Sequence, residues 1–161
     1  LTVHEAIDIL SEFRGPRWRL NAQVLWSGMR EEVAQAWANR HGLRTLTKAM
    51  GRLRNPRHDS CLRRPKSNAG WTAYIKGASA LFAWCIAQEG HVIILTPPPN
   101  QRFHPSNLTS FQRIEGPVLA GCYGVPLVKR IDICHPQVDN AHESSYQLWL
   151  KDRVGSWLAD F

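Results

Sequence analysis

The residues best suited to chemistry lie in two short segments. Val24-Leu25-Trp26-Ser27-Gly28-Met29 sets a tryptophan and a hydroxyl where an apolar run meets a helix predicted to start at Ser27. Free amides and the positive end of a helix dipole there favour an anionic ligand. The same residues also describe a buried Trp followed by an ordinary N-cap. Further on, Ser110-Phe111-Gln112-Arg113-Ile114-Glu115-Gly116-Pro117 puts one carboxylate at the end of a predicted strand, beside Gly and Pro. A lone glutamate in such a place is ordinarily solvated. Phosphate-cradling GxxxxGK[ST], GxGxxG, GxSxG and HExxH are absent. The seven histidines lack metal-ligand spacing, and Cys61, Cys85, Cys122 and Cys134 are too few and too irregular for a zinc ribbon. No metal, no cofactor and no covalent nucleophile is expected. The cysteines permit two disulfides, with Cys122 and Cys134 able to pair, while Cys85 reads as a buried thiol.

The elements that must position these residues follow from periodicity. Thr2-Val3-His4-Glu5 has capping-box spacing, and Val3, Ala6, Ile7, Leu10 and Phe13 recur at helical intervals until Gly15-Pro16. The Ser27 helix carries Glu31 and Glu32 in its first turn, buries Met29, Val33, Ala36 and Trp37, and stops at Gly42. From Gly51 to Asn68, Arg52, Arg54, Arg57, Arg63, Arg64 and Lys66 among prolines read as a mobile basic loop. A third helix runs from about Trp71 to Gln88 with Tyr74, Ile75, Ala78, Phe82, Cys85 and Ile86 on one face. It feeds a strand at Val92 to Leu95 that Pro97-Pro98-Pro99 closes. Strands are also expected around Gln112 to Glu115 and Val128 to Cys134, the latter half-buried, with Asp132 opposite Ile131 and Ile133. Tyr146, Trp149, Leu150, Val154, Trp157, Leu158 and Phe161 form the stripe of a terminal helix capped by Ser144 or Ser145. The fold class is α+β or α/β: a single domain over 1–161, with N-terminal helices packed on a small, mainly parallel sheet and a C-terminal amphipathic helix.

Composition bounds the function classes. The chain has 161 residues, 43% of them hydrophobic, which suits one domain and excludes a disordered tail, a collagen-like rod or a coiled coil. No apolar run approaches the roughly 18 residues of a membrane span, so a soluble chain without a membrane partner is expected. Lys and Arg outnumber Asp and Glu by 20 to 13, and there are seven tryptophans. That pairing is the footprint of nucleic-acid binding and equally of a basic secreted or toxin-like protein. Asn107-Leu108-Thr109 is a glycosylation sequon, which matters only in a secreted chain. Nothing near Leu1 has a signal-peptide layout, and removal of a leader or a further domain leaves the compartment open.

Three collinear blocks then resemble the ADP-ribosyl cyclase and NAD glycohydrolase family, which includes animal ecto-enzymes and related microbial toxins. Leu25-Trp26-Ser27-Gly28-Met29, with Ala34, Trp37, Ala38, Thr45-Leu46 and Gly51, is similar to the family's LWSG helix and TLExT segment. Ala78-Ser79-Ala80-Leu81-Phe82-Ala83, with Ala87, Gly90, Val92 and Leu95, resembles its SxxFAxxAxxxVxVxL helix and strand. Ser110-Phe111, Glu115, Leu119 and the Val128 to Ile133 strand resemble its [ST]FxxxE segment. The resemblance spans roughly residues 20 to 135.

What the resemblance implies is an enzyme that breaks the nicotinamide–ribose bond of NAD, its substrate. By position, Glu115 is the catalytic carboxylate that steadies an oxocarbenium-like ribose. Trp26 stacks on nicotinamide, Ser27 and Ser110 hold phosphate or ribose oxygens, and Phe111 and Ser79 line the pocket, with core packing as their alternative. Arg30 and the basic-loop arginines are candidates for the pyrophosphate, or else solvated cations. Thr47 stands where the animal cyclases carry a second carboxylate, Ala49 replaces a later Thr, and Gly28 stands where some relatives have Arg. Ile75 stands at their second pocket Trp, with Trp71 and Tyr74 one turn away. These departures imply hydrolysis to ADP-ribose with cyclisation minor or absent. Such an activity implies secretion or delivery to another cell and a cognate inhibitor or immunity protein, with nucleic acid an unlikely partner. Two alternatives remain: a catalytically weakened nucleotide- or nucleic-acid-binding domain, and an RNase-like toxin, for which no histidine has a partner in sequence.

Overall fold

The structure, a computed structural model, describes residues 1–97, 106–124, 128, 130–136 and 145–147. Helix α1 (Val3–Phe13) starts from the capping box: the Thr2 hydroxyl accepts the Glu5 N–H, and the Glu5 carboxylate accepts the Thr2 N–H. Strand β1 (Val24–Trp26) leads to α2 (Glu31–Arg40), then α3 (Leu46–Met50) and a 3₁₀ turn (Gly51–Arg54). The long α4 (Asn68–Ala87) precedes β2 (His91–Leu95); a π-helical turn (Phe111–Glu115) continues into α5 (Gly116–Leu119), and β3 (Arg130–Cys134) and β4 (Ser145–Gln147) close the described chain. No described helix is long and apolar enough to cross a membrane.

The strands lie in the order β1-β2-β3-β4, the first three parallel and β4 antiparallel. Parallel neighbours need a crossover; the helices between β1 and β2 and between β2 and β3 supply it. Alternation along each strand sends Leu25, Val92, Ile94, Ile131 and Ile133 into a large core with α1 and α4. The intervening Val24, Leu95 and Cys134 pack with Ala34, Trp37 and Ala38 of α2 on the other face. The sheet is therefore covered on both sides, as parallel sheets are. Asp132 is consequently buried rather than solvent-facing; it accepts from Arg130 and pairs with His91 Nε2 at 3.0 Å. Phe82 packs edge-on against Phe13 and Trp18, at 5.4 and 5.9 Å between ring centres.

Several local expectations change. Helix α2 begins at Glu31, not Ser27, with Arg30 at its N-cap; it buries Ala34, Trp37 and Ala38 and leaves Ala36 exposed. Residues 51–68 are not a featureless mobile loop. They form the 3₁₀ turn and a chain of hydrogen-bonded turns tied to α1 by a Lys66–Glu5 ion pair of 2.5 Å. Ser145–Gln147 is a strand, so no helix can start from Ser144 or Ser145; the rest of the expected terminal helix lies outside the described residues. All four cysteines are free, so Cys122 and Cys134 do not pair; burial raises the Cys85 thiol to a pKa of about 11.

Candidate active site

At the carboxyl end of β1, where parallel sheets present their ligand crevices, the Ser27 N–H donates to the Leu95 carbonyl at 2.9 Å. Pairing thus runs one residue past Trp26. Ser27 does not cap α2, whose N-cap is Arg30, three residues further on. Gly28 then turns the chain at a φ of 71°, a conformation that side chains resist, and α2 starts beyond it.

The second wall is the Phe111–Glu115 turn, predicted above as a strand. Thr109 caps it reciprocally: its hydroxyl accepts the Gln112 N–H, while the Gln112 side-chain oxygen accepts the Thr109 N–H and hydroxyl. Pro117 lacks the N–H that α-geometry would send to the Arg113 carbonyl. Immediately before it the ladder opens, with the Gly116 N–H reaching the Phe111 carbonyl. Such π turns are frequent at functional sites. The wide turn brings Phe111 and Glu115 inward together, 0% and 5% exposed. With its proton committed to Gln112, Thr109 accepts the hydroxyl of Ser27 at 3.1 Å, which ties the turn to the end of β1.

Between these walls lies a cavity of about 590 Å³, within the range of small-molecule sites. Trp26, Ser27, Ser79, Ser110, Phe111 and Glu115 all line it. Arg30 does not; it is exposed at the N-cap of α2, because that helix starts later than expected. Of the basic segment only Arg54 lines the cavity, while Arg52 pairs with Glu12 and Arg63 lies over Trp71. Ile75 lines it, whereas Trp71 and Tyr74 stack on each other outside it.

Glu115 is the electrostatic centre. The Ser79 hydroxyl of α4 donates to its Oε1 at 2.5 Å, and burial drives the Glu115 pKa up to about 7 against the lowering effect of that bond. Desolvation dominates because a single hydroxyl cannot replace the lost water.

Two polar lining residues, Glu31 and Thr109, escaped the sequence reading as site residues. Glu31 accepts from Thr47 at 2.6 Å and from Arg54 at 3.1 Å through both carboxylate oxygens. A carboxylate therefore faces the cavity beside Thr47, which lacks one. No spacing rule links Glu31 to Thr47 and Arg54, 16 and 23 residues away. Thr109, by contrast, stands three residues before Gln112, the spacing of a capping box, and that signal pointed to a helix rather than a strand.

Comparisons of this chain with protein-family models, with curated proteins and with solved structures found no match. Among the described residues no three His, Cys, Asp or Glu gather as a metal site.

Proposed function

We propose that the chain is an NAD glycohydrolase of the ADP-ribosyl cyclase kind, hydrolysing NAD to ADP-ribose and nicotinamide. One observation carries the reading: a buried glutamate, held by Ser79, opens onto a dinucleotide-sized cavity that also receives Trp26 and Arg54. The C1′–N1 bond breaks with its electron pair leaving on nicotinamide, which departs neutral. The ribose is left oxocarbenium-like, water adds at C1′ and a proton is released. The cation is what the Glu115 carboxylate stabilises, in a site whose low polarity strengthens the interaction. Trp26 offers its face to the cationic pyridinium. Arg54, planar and bidentate, is suited to the pyrophosphate, exchanging Glu31 for phosphate oxygens. The buried Glu115 is half neutral near pH 7, and the incoming positive ring favours its ionised form.

Following nicotinamide and ADP-ribose by chromatography tests this directly. Wild type is expected to convert NAD almost wholly to ADP-ribose, and Glu115→Gln to lose at least about a thousandfold in kcat, an electrostatic contribution of about 4 kcal/mol. Cyclic ADP-ribose as a main product would reverse the proposed outcome. NAD that binds without being consumed would favour the weakened nucleotide binder. An enzyme with this activity would endanger its producer, which supports a secreted or delivered protein with a cognate inhibitor.

A further inference from the structure

A second cavity, of about 420 Å³, opens where the end of α1 and the segment after it meet Arg44 and the 3₁₀ turn. It shares no lining residue with the Glu115 pocket. Arg17, Arg44 and Arg52 line it, with the Glu12 carboxylate opposite. Three cations therefore share the space with one anion, and that anion is already engaged by Arg52 Nε at 3.2 Å. Arg44 Nη2 donates to the Lys48 carbonyl at 2.9 Å. Its Nη1 is buried and has no partner, the one such side-chain atom found among the described residues. Burial lowers the pKa of Arg44 and the Arg17 charge lowers it further, while the Glu12 carboxylate opposes them in part. The cavity is thus a place where positive charge is held against its own repulsion.

We propose that the Arg17–Arg44–Arg52 cavity is a second ligand site that binds a phosphate group, held by the three guanidiniums that line it. The fork of an arginine matches phosphate oxygens, and an anion here relieves the repulsion among the three cations. The volume leaves room for a group esterified to the phosphate. Gly51 keeps the Glu12 wall in place: at a φ of 48°, a Cβ there would stand 2.7 Å from Glu12 Oε1.

The test is thermal unfolding of the intact chain in inorganic phosphate or in adenosine monophosphate, against potassium chloride at matched ionic strength. Wild type is expected to gain about 3–5 °C at concentrations near ten times the dissociation constant. Arg44→Gln and Arg17→Ala are expected to lose that gain. Arg17 is exposed, so its variant carries the test should Arg44→Gln fail to fold. A response to phosphate alone identifies a free-phosphate site, and a stronger response to the nucleotide identifies a monoester site; both uphold the proposal. No response beyond chloride, or one that persists in Arg17→Ala, overturns it. A gain from adenosine monophosphate that Arg54→Ala abolishes and Arg17→Ala keeps belongs to the Glu115 pocket, which separates this proposal from the proposed hydrolysis.

Discussion

Glu115 carries two consequences at the scale of a single residue. The folded-state pKa, about 7, lies above the ordinary 4.5. Burial of the neutral acid therefore favours folding fully below pH 4.5, and that contribution is lost as pH rises through 7. The cost of holding the ionised form in the fold reaches about 3 kcal/mol above neutrality. Glu115→Gln, which keeps a partner for Ser79, is expected to raise the unfolding free energy by up to that amount at pH 8 and to leave it nearly unchanged at pH 4.5, as read by denaturant titration. The same pKa governs activity. For the proposed hydrolysis, kcat/KM is expected to rise with pH to a plateau, with a midpoint near 7. In kcat the midpoint falls lower, because the bound pyridinium favours the carboxylate. A flat kcat/KM between pH 5 and 9 would remove the ionised Glu115 from the mechanism. Arg54 belongs to the same scale: Arg54→Ala is expected to raise KM for NAD by about 10–100-fold while kcat changes less, the worth of a charge-assisted contact.

At the scale of elements, the site depends on the junction of β1 with the π turn. Thr109 does two jobs there, capping the turn and accepting the Ser27 hydroxyl. Thr109→Val keeps the shape and removes both. It is expected to cost about 1–2 kcal/mol of stability, the worth of a helix cap with a buried hydrogen bond. Under the proposed function it also lowers kcat/KM, because Phe111 and Glu115 lose their register against Trp26. Differential unfolding and steady-state kinetics read the two effects separately. The strand expected at Gln112 to Glu115 failed for a reason in the residues themselves: the Thr109-Gln112 cap and Pro117 both favour a helix start, and Phe111 and Ile114, three residues apart, share a helix face rather than a strand face.

For the molecule as a whole, α4 joins stability to the site. One face of it buries Phe82 against Phe13 and Trp18, while Ser79, one turn earlier, holds Glu115. Phe82→Ala is expected to destabilise the fold by about 3–5 kcal/mol, as large-to-small core changes do, with KM unchanged in the molecules that remain folded. Equilibrium unfolding paired with kinetics on the native fraction checks this. The formal charge of +7 is also a property of the whole, and the fold disperses it. Arg54 goes to one cavity, Arg44, Arg17 and Arg52 to another, and Arg130 to the buried Asp132.

The sequence by itself determined which segments fold as what, wherever periodicity and caps are local: α1 from its capping box, α4 from its apolar face, β2 from its apolar run, and a fold class of helices on a small, mainly parallel sheet. It also singled out six residues that the fold brings to one cavity: Trp26, Ser27, Ser79, Ser110, Phe111 and Glu115. Tertiary structure alone decided that the sheet is buried on both faces, that Ser27 hydrogen-bonds to Leu95 beyond the end of β1 instead of capping α2, and that Arg30 stays outside while Arg54 and Glu31 come in. The physical reason is range. Caps and periods act over a few residues, whereas Glu31 meets Arg54, and Ser79 meets Glu115, only because α4 and the crossovers fold the chain back upon the end of β1.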